Sequence, residues 1–585
     1  MNILIEPLFI GFVQTLISGA LISGVIFIGN LINSKIIKKY NHLFLDLLIG
    51  IIIISQFIKI FTYLGLFKEF SYFLSYVVLL AGIYNFKTLI ISLTKNKTLL
   101  ITKIDWIIIS SLLLLFLISV APPSMSDALN YHYGIPFYLI QHNELPDINT
   151  WLHSGLLGNG EMINSLALIL GTDNFGSLIQ FISLILFFKF LYNEINQKEK
   201  IIFIIIFIIS SPTILQLISG AKFLLLPQLM TTTALYFMIK LKKIEFNDFI
   251  FIGILLAGAT QFKLSFIISG FLIAILTFYR AFFHNKLKII FYSILLFIFF
   301  FIPTSIWNYN HINSFNLINI FTIIPNEMIE SLKLFRENNS LFPLNLFIPD
   351  SFGKITAILG FQFLLLFFFS KKTKEFHNII LIVLFTACLH FFLGMNVSRI
   401  YFEFILWLAV SIIFINDIEI KYKLYTKILL PQLLFVFCSS LYFAIASSPS
   451  IFSNKLRDNF MIKNSFHYEA FKWINETLPK DAKVLSGLRS VAFLENEFVT
   501  NEPLQYNLSS EKLKKYFKLI KKNKINYIII GGKTSKDHRL QKCIDGKYAE
   551  SKKFNRSRRN PFNRNSNYVV SIYKFNYKKL PNCAN

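Results

Sequence analysis

The stretch "PPSMSDALNYHYGIP", residues 122–136, carries a carboxylate, an amide, two phenols and an imidazole between residues 127 and 133, directly after a long apolar run. Pro122 and Pro123 stop the preceding helix, and Ser124 or Ser126 can cap a new one starting near Asp127. On an α-helix Asp127, Asn130, Tyr131 and Gly134 share a face at three- and four-residue spacing, with His132 beside it. A carboxylate in such company can take a proton from a hydroxyl that its neighbours orient. An amphipathic interfacial helix would use the same residues, with tyrosines at the headgroups and the acid as a cap. The polar sequence continues as "HNELPDINTWLHSGLLGNGEMINS", which includes Glu161 and is longer than a connector requires. Loops of that length tend to be functional.

Charged residues return inside later apolar runs: Lys222 in "ISGAKFLLLPQ", Lys263 in "GATQFKLSF", and Arg399 and Glu403 in "SRIYFEF". Each alone reads as a snorkelling cation or, for the last two, an i,i+4 ion pair. Together they set several cations at the depth of Asp127, where charge is costly and usually faces a cavity. Cations beside a carboxylate at a membrane boundary suit a phosphate-linked, lipid-anchored substrate.

These residues need a membrane scaffold to position them. Only 15% of the 585 residues are charged, against about a quarter in soluble domains. Some fourteen apolar segments, near residues 8–32, 43–66, 70–94, 104–121, 174–194, 201–219, 222–240, 247–261, 265–283, 287–306, 356–370, 378–394, 398–416 and 426–447, are expected to cross as helices. The net charge of +26 is ascribed to loops facing cytoplasm or anionic lipid, which argues against nucleic acid as partner. Alternating the segments puts seven basic loops, from "NSKIIKKYN" to "KYKLYTK", on one side, the cytoplasmic one. The other side receives the loops at 122–172 and 307–355 and everything after about residue 448. That tail reads as an α/β domain, with helices in "FHYEAFKWINETLP" and "SSEKLKKYFKLIKKNKI" and strands in "AKVLSG", "NYIIIGG" and "NYVVSIYKF". Gly531 and Gly532 read as a turn, since the spacing of a phosphate loop is missing. The run "SKKFNRSRRNPFNRNSN" reads as a basic loop. Cys388 and Cys438 sit in apolar helices, while Cys543 and Cys583 can pair if the tail is extracytoplasmic. The fold class is thus a polytopic α-helical membrane protein with a C-terminal extracytoplasmic α/β domain, divided as 1–103, 104–447 and 448–585.

An acid in the first outer loop, a long polar loop after it, about eleven crossings from the fourth helix onward and a terminal outer domain resemble the GT-C membrane glycosyltransferases. These include the protein O-mannosyltransferases and the lipid A aminoarabinose transferases, and the likeness is nearest to bacterial members. It rests on Asp127 with Tyr131, His132 and Pro136, on Gly160 and Glu161, on "LGTDNFGSLIQF", "GATQFKLS" and "SRIYFEF", and on "YEAFKWINETLPKDAKVLSG". The chain differs from many members in carrying Lys222 where they have an acid. The resemblance implies transfer of a sugar from a polyprenyl-phosphate donor to a glycan, lipid or protein acceptor on the outer face of the cytoplasmic membrane. Asp127 would be the general base, and Lys263 and Arg399 would stabilise the departing phosphate. Asn130, Tyr131, His132, Glu161, Lys222 and Glu403 would complete substrate binding. A divalent metal, Mg or Mn, could be held by Asp127, His132 and Glu161. Two other classes fit the composition. A polymerase or ligase of polyprenyl-linked glycans is expected to carry an arginine-rich late outer loop, whereas 307–355 has only Arg336. A transporter or flippase is expected to show repeated halves and polar residues at mid-depth.

Overall fold

The computed structural model describes residues 4–37, 40, 42–94, 103–148, 150–195, 197–282, 286–312, 343–349, 352–369, 371–393, 395, 397–416, 418–501, 504, 510–531, 538–555 and 567–580. Most of the 307–355 loop, the run at 556–566, Gly532, Cys583 and the basic loop at 95–102 lie outside these. The chain is mostly helical with a small C-terminal sheet.

The membrane part begins with α1 (Gly11–Ile32), α2 (Leu43–Tyr63), α3 (Phe67–Thr94) and α4 (Lys103–Ser119). Short α5 (Gly134–His142) and α6 (Asn159–Ile169) follow, then α7 (Phe175–Glu194), α8 (Lys198–Ile209), α9 (Ile214–Ser219), α10 (Leu225–Lys240) and α11 (Phe246–Phe262). The series continues with α12 (Ile267–Phe282), α13 (Lys286–Phe300), α14 (Ile302–Ile312), α15 (Lys374–Phe392), α16 (Ser398–Ser411) and α17 (Ile418–Ser447). Seven helices among the described residues are long and apolar enough to cross a membrane, and the bent pair α13–α14 makes an eighth. The close contact of α1 with α2 and α3 is set by glycines. A Cβ on Gly24, Gly29, Gly50 or Gly82 would strike a neighbouring helix's backbone carbonyl. The three-helix unit 1–103 is not set apart in space, since α2 packs on α6 and α7.

Polar loops meet at one end of the bundle. Asn30 and Asn33 donate to Asp46 at 3.0 and 2.7 Å, the Tyr40 hydroxyl donates to Asp248, and Tyr236 donates to Glu194 at 2.5 Å. Lys198 pairs with Asp105 at 3.4 Å at the same end. Loops that alternation of the apolar segments puts on one side therefore converge in three dimensions.

One expected crossing is not an α-helix. Residues 352–357 and 362–368 form only 3-10 turns. This chain still runs the length of α16, from the Ser398 hydroxyl, which donates to Ala357 O, to the bridge between Lys372 and Ile415. Its backbone is satisfied by a second break, at Ser210–Thr213 between α8 and α9. Ser211 Oγ and Thr213 Oγ1 each donate at 2.7 Å, to the carbonyls of Leu359 and Ile358. The Gln432 amide, beside Pro431 within α17, accepts from Phe361 N–H at 3.0 Å and donates to Ser210 O at 2.9 Å. Irregular backbone within an apolar helical bundle is tolerated where protein supplies such partners.

The C-terminal part opens with α18 (Asn454–Asn464) and α19 (Tyr468–Thr477). Its strands are β1 (Lys483–Ser486), β2 (Glu497–Thr500), β3 (Tyr527–Gly531), β4 (Ile544–Glu550), β5 (Phe554–Asn555), β6 (Asn567–Tyr568) and β7 (Val570–Phe575), with α20 (Ser510–Lys522) between β2 and β3. The main sheet has the order β2-β1-β3-β7-β4, with β1 parallel to both neighbours and β7 antiparallel to both of its own. Helix α19 buries Tyr468, Phe471 and Ile474, and α20 buries Tyr516, Phe517 and Ile520, at the three- and four-residue spacing of an amphipathic helix. Cys543 is buried and disulfide-bonded, whereas Cys388 and Cys438 are free.

Candidate functional site

Residues 128–132 form a π-turn, not the α-turn expected from sequence. Pro136 explains the change. It has no N–H to give the His132 carbonyl, and its ring would press on that group in an α-ladder. The ladder shifts instead: Tyr133 N–H bonds Ala128 O at 2.9 Å, and the freed His132 carbonyl accepts from the Asn164 side chain at 3.3 Å. The wider turn brings residues five apart onto one side, so His132 and not Asn130 follows Asp127. Asn130 is buried in the turn.

Asp127 meets two cations. The Lys222 ammonium donates to Oδ2, and Arg399 Nη2 lies 3.9 Å from the same oxygen. The side chains of Asp127 and Arg399 are about one third exposed, at 35% and 32%, whereas Lys222 is at 7%. The neighbouring Lys222 charge holds the Asp127 carboxyl far below the usual carboxylate range against the cost of burial. Burial, then the like charge of Arg399, draws Lys222 down to about 7 and Lys263 to about 8. The pair titrates as a unit. Its half-open carboxylate stays ionised.

A second pair lies beside the first. His132 Nδ1 bonds Glu161 Oε1, and Glu161 Oε2 accepts the Gly158 N–H at 2.6 Å, capping the first turn of α6. Burial lowers His132 to about 4 despite Glu161, so the imidazole is neutral near pH 7. The "GNGEM" glycines are required by contact. A Cβ on Gly158 would lie 2.5 Å from Phe262 O, and one on Gly160 would lie 2.8 Å from the ring of Phe223, next to Lys222.

Two expectations are corrected. Glu403 does not pair with Arg399. It is buried among α10, α12 and α16, and accepts from the hydroxyls of Thr231 at 2.5 Å and Ser269 at 2.7 Å. Asp127, His132 and Glu161 do not form a three-ligand metal site. Asp127 is occupied by Lys222 and Arg399, Glu161 by His132 and a backbone amide, and no cluster suited to a metal exists among the described residues. Asp127, Lys222, Arg399 and Lys263 are brought together, and His132 and Glu161 adjoin them.

Other charged groups reach the site without having been anticipated. Lys59 of α2 donates to Gln261 at 2.7 Å in the field of Glu161. A lone lysine in the apolar run "SQFIKIF" was the available signal. Asp173 in "GTDN" pairs with Arg457 of α18, both buried, and Arg457 also donates to Leu4 O at 3.1 Å. Arg489, after β1, acts on Tyr131 together with Arg399. A surface arginine in a basic domain gives no such signal.

Residues 78–461 match the DUF1420 N-terminal domain and residues 463–585 the DUF1420 C-terminal domain. The chain belongs to the DUF1420 family. No curated protein matches it. The boundary between the two DUF1420 domains falls near residue 462, between the membrane helices and the sheet. Arg457 and Asp173 therefore both belong to the N-terminal DUF1420 domain.

Proposed function

We propose that this DUF1420 protein is a membrane glycosyltransferase of the GT-C kind. It would move a sugar from a polyprenyl-phosphate-linked donor to a glycan, lipid or protein acceptor at the outer face of the cytoplasmic membrane. All fourteen apolar segments cross in this reading, one of them as 3-10 turns, and the C-terminal domain is extracytoplasmic. The observation that carries the proposal is a single half-open carboxylate, Asp127, held by Lys222 and Arg399 with Lys263 in the same field, beneath the C-terminal domain.

The ion pair supplies a switch. A donor phosphate competes with Asp127 for Lys222 and Arg399. Once they turn to it, the carboxylate loses the charges that depress its proton affinity and becomes a competent base. The acceptor oxygen then bonds the anomeric carbon, its proton passes to Asp127, and the bond to the phosphate oxygen breaks with its electron pair on the phosphate. Lys222, Lys263 and Arg399 stabilise the charge developing there. A divalent metal does not fit the described residues present.

The test is transfer in membranes from radiolabelled polyprenyl-phosphate sugars, wild type against Asp127→Asn. Transfer that collapses while donor binding persists supports the enzyme and its base. Transfer that survives removes Asp127 from the chemistry, and no transfer with any donor returns the balance to a transporter.

A further inference from the structure

Lys222, Arg399 and Lys263 share the field of the single acid Asp127 and Arg489 reaches that of the neighbouring Tyr131, while Glu161 is matched by the nearby Lys59. The fourth cation comes from the other domain and is held there by construction. Arg489 ends the turn after β1, between residues in the left-handed region: Ser490 (φ 70°) follows it, and His467 (φ 65°) bonds its carbonyl through Nδ1 at 3.2 Å. Two non-glycine residues in that region are costly and persist where the surroundings dictate them. The next turn, Val491–Phe493, packs on the π-turn that carries Tyr131, so the strained loop is pinned against the site. Arg489 is exposed, and among the described residues no carboxylate pairs with its guanidinium.

We propose that the site takes a diphosphate-linked lipid in preference to a monophosphate-linked one, with Arg489 of the C-terminal domain on the second phosphate. The inference rests on the glycosyltransferase reading and narrows its donor class. A sugar–phosphate–lipid diester carries one negative charge, against an excess of three cations once Lys222 and Lys263 are protonated. A diphosphate diester carries two, and a third develops on the leaving diphosphate as the sugar–oxygen bond breaks. Donors pre-aimed at charge that develops only in the transition state are the ones that accelerate the step.

The test is equilibrium binding of undecaprenyl phosphate and undecaprenyl diphosphate to the purified full-length protein in nanodiscs. The diphosphate is expected to bind at least about tenfold more tightly, the worth of one charge-assisted hydrogen bond. Arg489→Ala should erase that preference by weakening the diphosphate alone, and Arg489→Lys should keep part of it. Equal affinity for the two lipids, or equal weakening of both by Arg489→Ala, overturns the inference and leaves the transferase standing. Binding of neither lipid overturns the transferase reading as well.

Discussion

At the scale of single residues, the proposed reaction makes Asp127 both the reactive group and a competitor for the cations it needs. Removing its charge therefore has opposite effects on two measurements. Asp127→Asn should lower transfer by about a hundredfold or more, the usual contribution of a general base. The same change should tighten undecaprenyl phosphate, because Lys222 and Arg399 no longer have a resident anion. A parallel loss of binding and transfer would mean that the carboxylate only organises the site. Acidity gives a second check. Lys222 and Lys263 in the free protein lie near 7 and 8, below the ordinary lysine value. A bound phosphate favours their charged forms, so binding takes up protons and affinity should fall as pH rises from about 6.5 to 9. Lys222→Arg, charged throughout, should flatten that profile in a direct titration of lipid binding. Asp127, Lys222, Lys263 and Arg399 were legible in the sequence because isolated charges in apolar runs have few places to go. Glu403 was misjudged because i,i+4 spacing fixes which residues are near, not which way a side chain turns. The hydroxyls of Thr231 and Ser269, on two other helices, decided that.

At the scale of elements, the site is built from irregularities: a π-turn upstream of Pro136, a carboxylate cap on a glycine amide, and a tight glycine contact behind Lys222. Gly160→Ala puts a methyl group into the Phe223 ring, and overpacking of that kind costs on the order of 1–3 kcal/mol. Because Phe223 is covalently next to Lys222, the expected outcome is a modest fall in melting temperature with a larger fall in lipid-phosphate affinity. Pairing the change with Phe223→Leu should restore much of both. Sequence periodicity located the helices of the membrane part and those of the C-terminal domain well, since each buries an apolar face. It missed β2 and β4, whose sequences "EFVT" and "IDGKYAE" lack a sustained apolar alternation. It also read residues 356–370 as a helix, because apolar length alone does not reveal that the hydrogen-bond partners lie in another break.

At the scale of the whole molecule, the two DUF1420 domains meet over the site, and the segment joining them is tied down by a buried ion pair. Asp173→Ala would leave Arg457 charged and unmatched, a loss of about 3–5 kcal/mol. It should appear as a lower melting temperature in detergent and earlier proteolysis at the junction, with the isolated pair's rescue by Arg457→Met as the control. Leu4 shares that arginine, so the chain's beginning and the entrance to its last domain are bound to one point.

If the 3-10 segment beside α16 crosses as proposed, it bears on how the protein is made. Its carbonyls at residues 358 and 359 need Ser211 and Thr213, already synthesised, but the amide of Phe361 needs Gln432, which emerges from the ribosome some seventy residues later. Until then the segment would have no self-contained ladder with which to enter lipid. Membrane entry in that reading is a delayed, retroactive event, completed from behind by a helix not yet translated when the segment first appears.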